Sequence, residues 1–177
     1  PELDLLPDTF AHHGVAQLEA SRGCSSACTF CPRGHKGSWS SADLAQLRTT
    51  VRSMRSVFED FPQTSRTVYL VDEEFIGTGP GVEDRALGIA SALHQEGMRW
   101  ESSCRIDQIH DPSRDRSWHT GRAQLFRELH HRGMRRMLFG VESGVDSVLD
   151  RFGKDVVGAQ NTAAIRTLSA LGIPTRF

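Results

Sequence analysis

The sequence predicts an α/β fold: a parallel sheet covered by helices and curled towards a (βα) barrel, with about four βα units and the start of a fifth strand. Three observations carry this expectation. Short β-branched or apolar runs alternate with helix-length amphipathic stretches along the chain. The polar clusters Cys24–Cys31, Asp72–Glu74, Arg105–Asp107 and Glu142–Gly144 all follow strand candidates, where barrels build their sites. Right-handed crossovers between parallel strands curl such a sheet towards closure.

The elements follow in order. Pro1–Gly14, with two prolines and the Asp8-Thr9 pair, reads as an irregular lead-in. Val15–Ala20 alternates apolar and polar residues as a short strand that runs into the cysteine loop, which Pro32–Gly37 continues. Ser40-Ser41-Ala42-Asp43 offers N-caps for a helix with Leu44, Leu47, Val51, Met54, Val57, Phe58 and Phe61 on one face, ended by Pro62. Thr67–Val71 is the second strand, followed by Asp72-Glu73-Glu74-Phe75 and the breakers Gly77, Gly79, Pro80 and Gly81. A helix over Val82–Gln95 stops at Gly97, and Arg99–Asp107 is the third strand. Asp111–Gly121 has the composition of a loop, and Arg122–His131 that of a helix ended by Gly133. Met137–Val141 makes a fourth strand, Asn161–Leu171 a helix closed by Gly172, and Ile173–Phe177 the opening of a fifth strand.

Composition narrows the function. With 177 residues, 38% hydrophobic and 24% charged, the chain can bury one domain's core, yet it is shorter than a full barrel of about 250 residues. Lys plus Arg at 21 against Asp plus Glu at 22 leaves no electrostatic footprint for nucleic acid. No apolar run approaches the roughly 18 residues of a membrane span and no basic-then-apolar leader opens the chain, so the expected compartment is cytoplasmic. Three of the four cysteines crowd into one loop, which argues for reduced thiols acting as metal ligands rather than for disulfides.

That loop, Cys24-Ser-Ser-Ala-Cys28-Thr-Phe-Cys31, brings three thiols within eight residues, suited to one soft metal centre. A cube of four irons takes four ligands, so three cysteines leave one iron open to a non-protein ligand. The same thiols also suit zinc in a non-catalytic binding module, with Cys104 or His35 as fourth ligand, or they are simply small buried residues.

Arg22-Gly23-Cys24 through Cys31-Pro32, with Phe30 just before the last cysteine, resembles the radical S-adenosylmethionine (SAM) enzymes. It is most similar to the subgroup that often carries a cobalamin-binding domain ahead of the radical SAM core. The resemblance implies a partial barrel of the radical SAM type over residues 15–177, C-terminally incomplete, behind a lead-in at 1–14. A complete family core has six βα units and a glycine-rich fifth strand, and this chain ends near the start of that strand. The resemblance further implies a [4Fe-4S] cluster on Cys24, Cys28 and Cys31, its open iron chelated by the amino and carboxylate groups of SAM. One electron from the cluster cleaves SAM to a 5′-deoxyadenosyl radical, for methyl transfer or rearrangement of an unknown substrate. Reduced flavodoxin or ferredoxin is the implied electron donor, and cobalamin would come from a domain not in this chain.

The remaining site residues carry a family reading and a plainer one. The resemblance puts Phe30 near the adenine of SAM, although the ring equally serves to anchor the loop. It puts Asp72 or Glu73 at the SAM amino group, although the glycine-glycine-glutamate form seen in many relatives is missing. Arg105, a planar fork, suits the SAM carboxylate or a ribose hydroxyl, against a plain salt bridge to Asp107 or Glu74. Glu142, between an apolar strand and a glycine, would accept from the ribose hydroxyls, with Ser143 beside it. Cys104 reads as a buried small residue, the His12-His13 and His130-His131 pairs as surface, His35-Lys36 as a flexible basic loop, and Gly77–Gly81 as a turn.

Overall fold

The computed structural model describes residues 2–176, and Pro1 and Phe177, the outer ends of the expected lead-in and fifth strand, lie outside them. Five strands form one parallel sheet: β1 (Ala16–Leu18), β4 (Thr67–Leu70), β5 (Arg99–Arg105), β6 (Met134–Gly140) and β7 (Thr175–Arg176). They lie side by side in that order, and among the described residues the sheet does not close on itself. The intervening strands β2 (Ser21–Cys24) and β3 (Ser38–Ser41) pair antiparallel as a separate hairpin.

Alternation along each strand sorts the two faces. Val68, Leu70, Trp100, Ser102, Cys104, Met137 and Phe139 are buried on the helix-covered side. On the opposite, concave side Arg136 pairs with Glu101, Tyr69 meets Ser103 through their hydroxyls at 3.3 Å, and Leu138 stays 42% exposed. The covering layer is α2 (Leu44–Asp60), α3 (Val82–Gln95) and α4 (Arg116–His131). In α2 the Asp43 carboxylate accepts the Gln46 N–H at 2.8 Å, and Leu47, Val51, Met54 and Phe58 give the buried stripe. Phe126 of α4 meets Phe139 of β6 at 6.0 Å between ring centroids, joining the two layers. Among the described residues no helix is long and apolar enough to cross a membrane.

Four differences from the sequence reading have physical causes. The stretch expected to be an irregular lead-in holds a short helix, α1 (Leu6–Ala11), because Phe10 stacks on Phe58 at 4.9 Å and brings Leu6 into the core. The β2–β3 hairpin gives no strand signal, since four of its eight residues are serines and none is β-branched. The expected loop over Asp111–Gly121 turns helical at Arg116, where the Asp115 carboxylate caps the Trp118 N–H at 2.8 Å. Between β6 and α6 (Gly158–Ala170) the chain forms a further short helix, α5 (Asp146–Arg151), which buries Leu149.

Candidate functional site

The cysteine loop hangs from the β2–β3 hairpin at the C-terminal ends of the sheet strands. Gly23 permits this: its φ is +89°, and a Cβ there would lie 2.2 Å from the Ser38 carbonyl oxygen. Backbone bonds hold the loop, from Cys24 N–H to the His35 carbonyl at 3.3 Å and from Cys31 N–H to the Cys28 carbonyl at 3.3 Å. The Lys36 ammonium caps the Cys28 carbonyl at 2.8 Å, and Thr29 N–H reaches the Phe152 carbonyl at 2.8 Å, tying the loop to the end of α5. All these bonds use main-chain acceptors and none takes a thiol, and the cysteines are free of disulfides.

Cys24, Cys28 and Cys31 border a cleft of about 660 Å³ over the concave face, a size suited to a cofactor or small substrate. Glu73, Arg105, Glu142 and Lys154 line it as well. Among the described residues no three His, Cys, Asp or Glu side chains close around a single point. The residues nevertheless fit an iron–sulfur cluster: three soft donors on one loop, with the buried Arg105 guanidinium at 3.9 Å from Cys28 Sγ to balance thiolate charge. Burial pushes the Cys24 thiol above its ordinary pKa, so taking up metal there releases a proton.

The three carboxylates after β4 divide their tasks. Asp72, expected at the SAM amino group, turns inward: it accepts the Ala20 N–H and the Ser21 hydroxyl, each at 2.8 Å, and ties the end of β4 to the start of β2. Burial raises its pKa to about 6 despite those bonds. Glu73 accepts the Gly23 N–H and faces the cleft, with the Arg33 guanidinium 3.9 Å away. Glu74 is wholly buried. Its carboxylate accepts from Arg105 N–H at 2.6 Å, Ile76 N–H at 3.0 Å, Gly77 N–H at 3.3 Å and the Cys104 thiol at 3.4 Å, while burial lifts its pKa to about 7.

Arg105, expected to bind SAM directly, is engaged by the protein. Its Nε donates to both Asp107 oxygens at 2.9 and 3.1 Å, and its Nη2 to the Lys154 carbonyl at 3.1 Å. Burial disfavours the guanidinium charge, but Asp107 outweighs it and holds the pKa above the usual arginine value. Cys104 is buried as expected, and burial with the neighbouring Glu74 carboxylate pushes its thiol well up. His35 sits exposed at the cleft rim.

Past β6, Glu142 takes a left-handed backbone with φ +61°, uncommon for a residue with a side chain. Its carboxylate meets the Lys154 ammonium at 3.1 Å over Gly140, where a Cβ would stand 2.7 Å from that nitrogen. Ser143, expected beside the ribose, instead builds the turn: its hydroxyl accepts Val145 N–H at 3.0 Å and its carbonyl accepts from Asn161 at 2.9 Å. Phe30 is 44% exposed at the cleft edge and rests on Phe152 with centroids 5.0 Å apart, so anchor and cleft wall coincide in one ring. Lys154 escaped sequence reasoning because a lysine after Phe152-Gly153 looks like ordinary surface, yet it is only 5% exposed.

No family model matches the chain. The chain is 36% identical over 183 residues to 4′-phospho-dehydrooxetanocin synthase of Priestia megaterium, covering all of this chain and 24% of that protein. It is 25% identical over 179 residues to the uncharacterized methyltransferase PH0819 of Pyrococcus horikoshii, covering 98% of this chain and 35% of that protein. Among solved structures, the cobalamin-dependent SAM radical enzyme OxsB with aqua-cobalamin superposes with a TM-score of 0.91 at 34% identity, over 99% of this chain and 25% of that one. OxsB with both aqua-cobalamin and SAM bound gives 0.90 at 33% identity, with the same coverage. The chain thus spans about a quarter of the length of the first of these relatives.

Proposed function

We propose, since this chain is a relative of the cobalamin-dependent radical SAM enzymes, that it carries the cluster-binding part of such an enzyme. When bound, a [4Fe-4S] cluster supplies one electron to the sulfonium of SAM, which cleaves to methionine and a 5′-deoxyadenosyl radical. In the proposed site Cys24, Cys28 and Cys31 hold the cluster at the cleft wall. Glu73 accepts the SAM ammonium, Glu142 the ribose hydroxyls, and the exposed face of Phe30 packs on the adenine. Lys154 holds Glu142 in its left-handed turn.

The reaction we propose is methyl transfer or rearrangement of a small organic substrate, with reduced flavodoxin or ferredoxin as donor and cobalamin held by residues outside this chain. The relatives' names supply the support for that choice: one is described as a synthase, one as a methyltransferase, and OxsB as cobalamin-dependent. The observation that carries the reading is the meeting of the three cysteines with Glu73 and Glu142 on one cleft at the strand ends.

Anaerobic reconstitution with iron and sulfide tests it. The expected protein is brown and holds about four irons per chain, and with dithionite it releases 5′-deoxyadenosine from SAM. One tightly held zinc, with no iron taken up, overturns the proposal in favour of a binding module.

A further inference from the structure

Arg105 ends β5, the central strand of the sheet, paired to β4 on one side and β6 on the other. Its side chain is fixed at two further points, the Asp107 carboxylate and the Lys154 carbonyl, and its backbone N–H is held by Glu74. The edge of the fork left over faces a cluster cysteine, with Nη1 at 3.9 Å from Cys28 Sγ. Both partners are buried, Arg105 at 8% and Cys28 at 7% exposure. A guanidinium so placed has little freedom to swing towards a ligand in the cleft, but it acts steadily on the sulfur beside it.

Resting on the function proposed above, we infer that Arg105 is a positioning residue for the cluster, donating to Cys28 Sγ and making the cluster easier to reduce. Reduction by the external donor adds one electron and hence one negative charge. Hydrogen bonds and positive charge at the ligating sulfurs favour that more negative state, and burial sharpens both effects. Asp107 does not cancel the field. Its side chain is 27% exposed against 10% for Arg105, so water screens the carboxylate more than the guanidinium. The role differs from clasping SAM: the fork's contacts are to protein, and the one that remains points at a thiol.

The test is an EPR-monitored redox titration, without SAM, of the reconstituted wild-type protein and of Arg105→Lys and Arg105→Gln. At the potential where the wild-type cluster is half reduced, Arg105→Gln should show a reduced-to-oxidised ratio about tenfold lower, 59 mV for a one-electron couple. Arg105→Lys, which keeps the charge but loses the fork, should fall between. Coincident curves in the three proteins overturn the inference while leaving the cluster itself standing. A wild-type protein that takes up no cluster overturns the underlying function instead. Should Arg105→Gln fail to assemble, wild-type protein labelled with ¹⁵N-arginine reads the same contact by pulsed EPR. A ¹⁵N coupling to the reduced cluster that Arg105→Lys loses supports the inference, and its absence from the wild type refutes it.

Discussion

The carboxylate of Glu74 accepts the backbone N–H of Arg105 at 2.6 Å, joining the ends of β4 and β5 beneath the cleft. Both residues lie far in sequence from the Cys24–Cys31 loop, yet the bond sets where the Arg105 side chain begins and so what it can reach. A wholly buried carboxylate at the floor of a site also makes the fold sensitive to pH.

Burial lifts Glu74 from 4.5 to about 7 and Asp72 from 3.8 to about 6. Both folded-state values lie above the unfolded ones, so the folded protein binds more protons between them. Their contribution is therefore fully present at low pH and is lost as pH rises through roughly 4 to 7. Urea unfolding of the cluster-free protein should give a lower stability at pH 7.5 than at pH 5, by on the order of 2 to 3 kcal/mol from Glu74. Glu74→Gln should flatten that slope, from a lower starting stability because its amide N–H meets backbone donors. An unchanged slope in the variant would assign the pH effect elsewhere.

Gly23 has φ +89° with the Ser38 carbonyl oxygen 2.2 Å from the site of a Cβ. Gly23→Ala must strain or open the hairpin that presents Cys24, at a cost of about 1 to 3 kcal/mol. Iron uptake measured by reconstitution should fall several-fold or more, together with the melting temperature. Full iron content in Gly23→Ala would show that the hairpin does not govern the cysteine loop.

The four cysteines should separate by role. Cys24→Ala, Cys28→Ala and Cys31→Ala should each lose most of the iron, since each removes one of the three loop thiols at the cleft. Cys104→Ala should keep it, because that thiol is buried and donates to Glu74 at 3.4 Å. Its cost is one lost hydrogen bond and a small void, about 1 to 2 kcal/mol in a melt. Iron loss in Cys104→Ala would make it a ligand after all.

Glu73 and Asp72 are neighbours with opposite expected phenotypes. Glu73→Gln should weaken SAM binding by about tenfold in calorimetry, the worth of one charge-assisted hydrogen bond, with iron content unchanged. Asp72→Asn should leave SAM affinity near wild type and lower stability, since its two acceptor bonds fasten Ala20 and Ser21. Reversed phenotypes would mean that Asp72, not Glu73, meets the cofactor.

Much of this was legible from spacing. The βα alternation, the Val82–Gln95 helix, the α2 start after Asp43 and the cysteines at a strand end all follow from periodicity and capping, which act over a few residues. Those signals were silent on α4's first turns, where polar residues on a helix resemble a loop, and on the Ser-rich hairpin. They were equally silent on Asp72-Glu73-Glu74, three carboxylates in a row where strand alternation ends.

Which of those three faces the cleft depends on partners far along the chain: Ala20 and Ser21 for Asp72, Gly23 for Glu73, Arg105 and Cys104 for Glu74. The same holds for Lys154, paired with Glu142 and 5.8 Å from the Phe30 ring centroid, and for Arg105, held at the cleft wall towards Cys28 by Asp107 and the Lys154 carbonyl. Local chemistry chose most of the helices and strands and set three thiols on one loop. Contacts between distant segments chose the direction of each charged side chain, because a buried charge goes where its partners are, and no short stretch of sequence contains them.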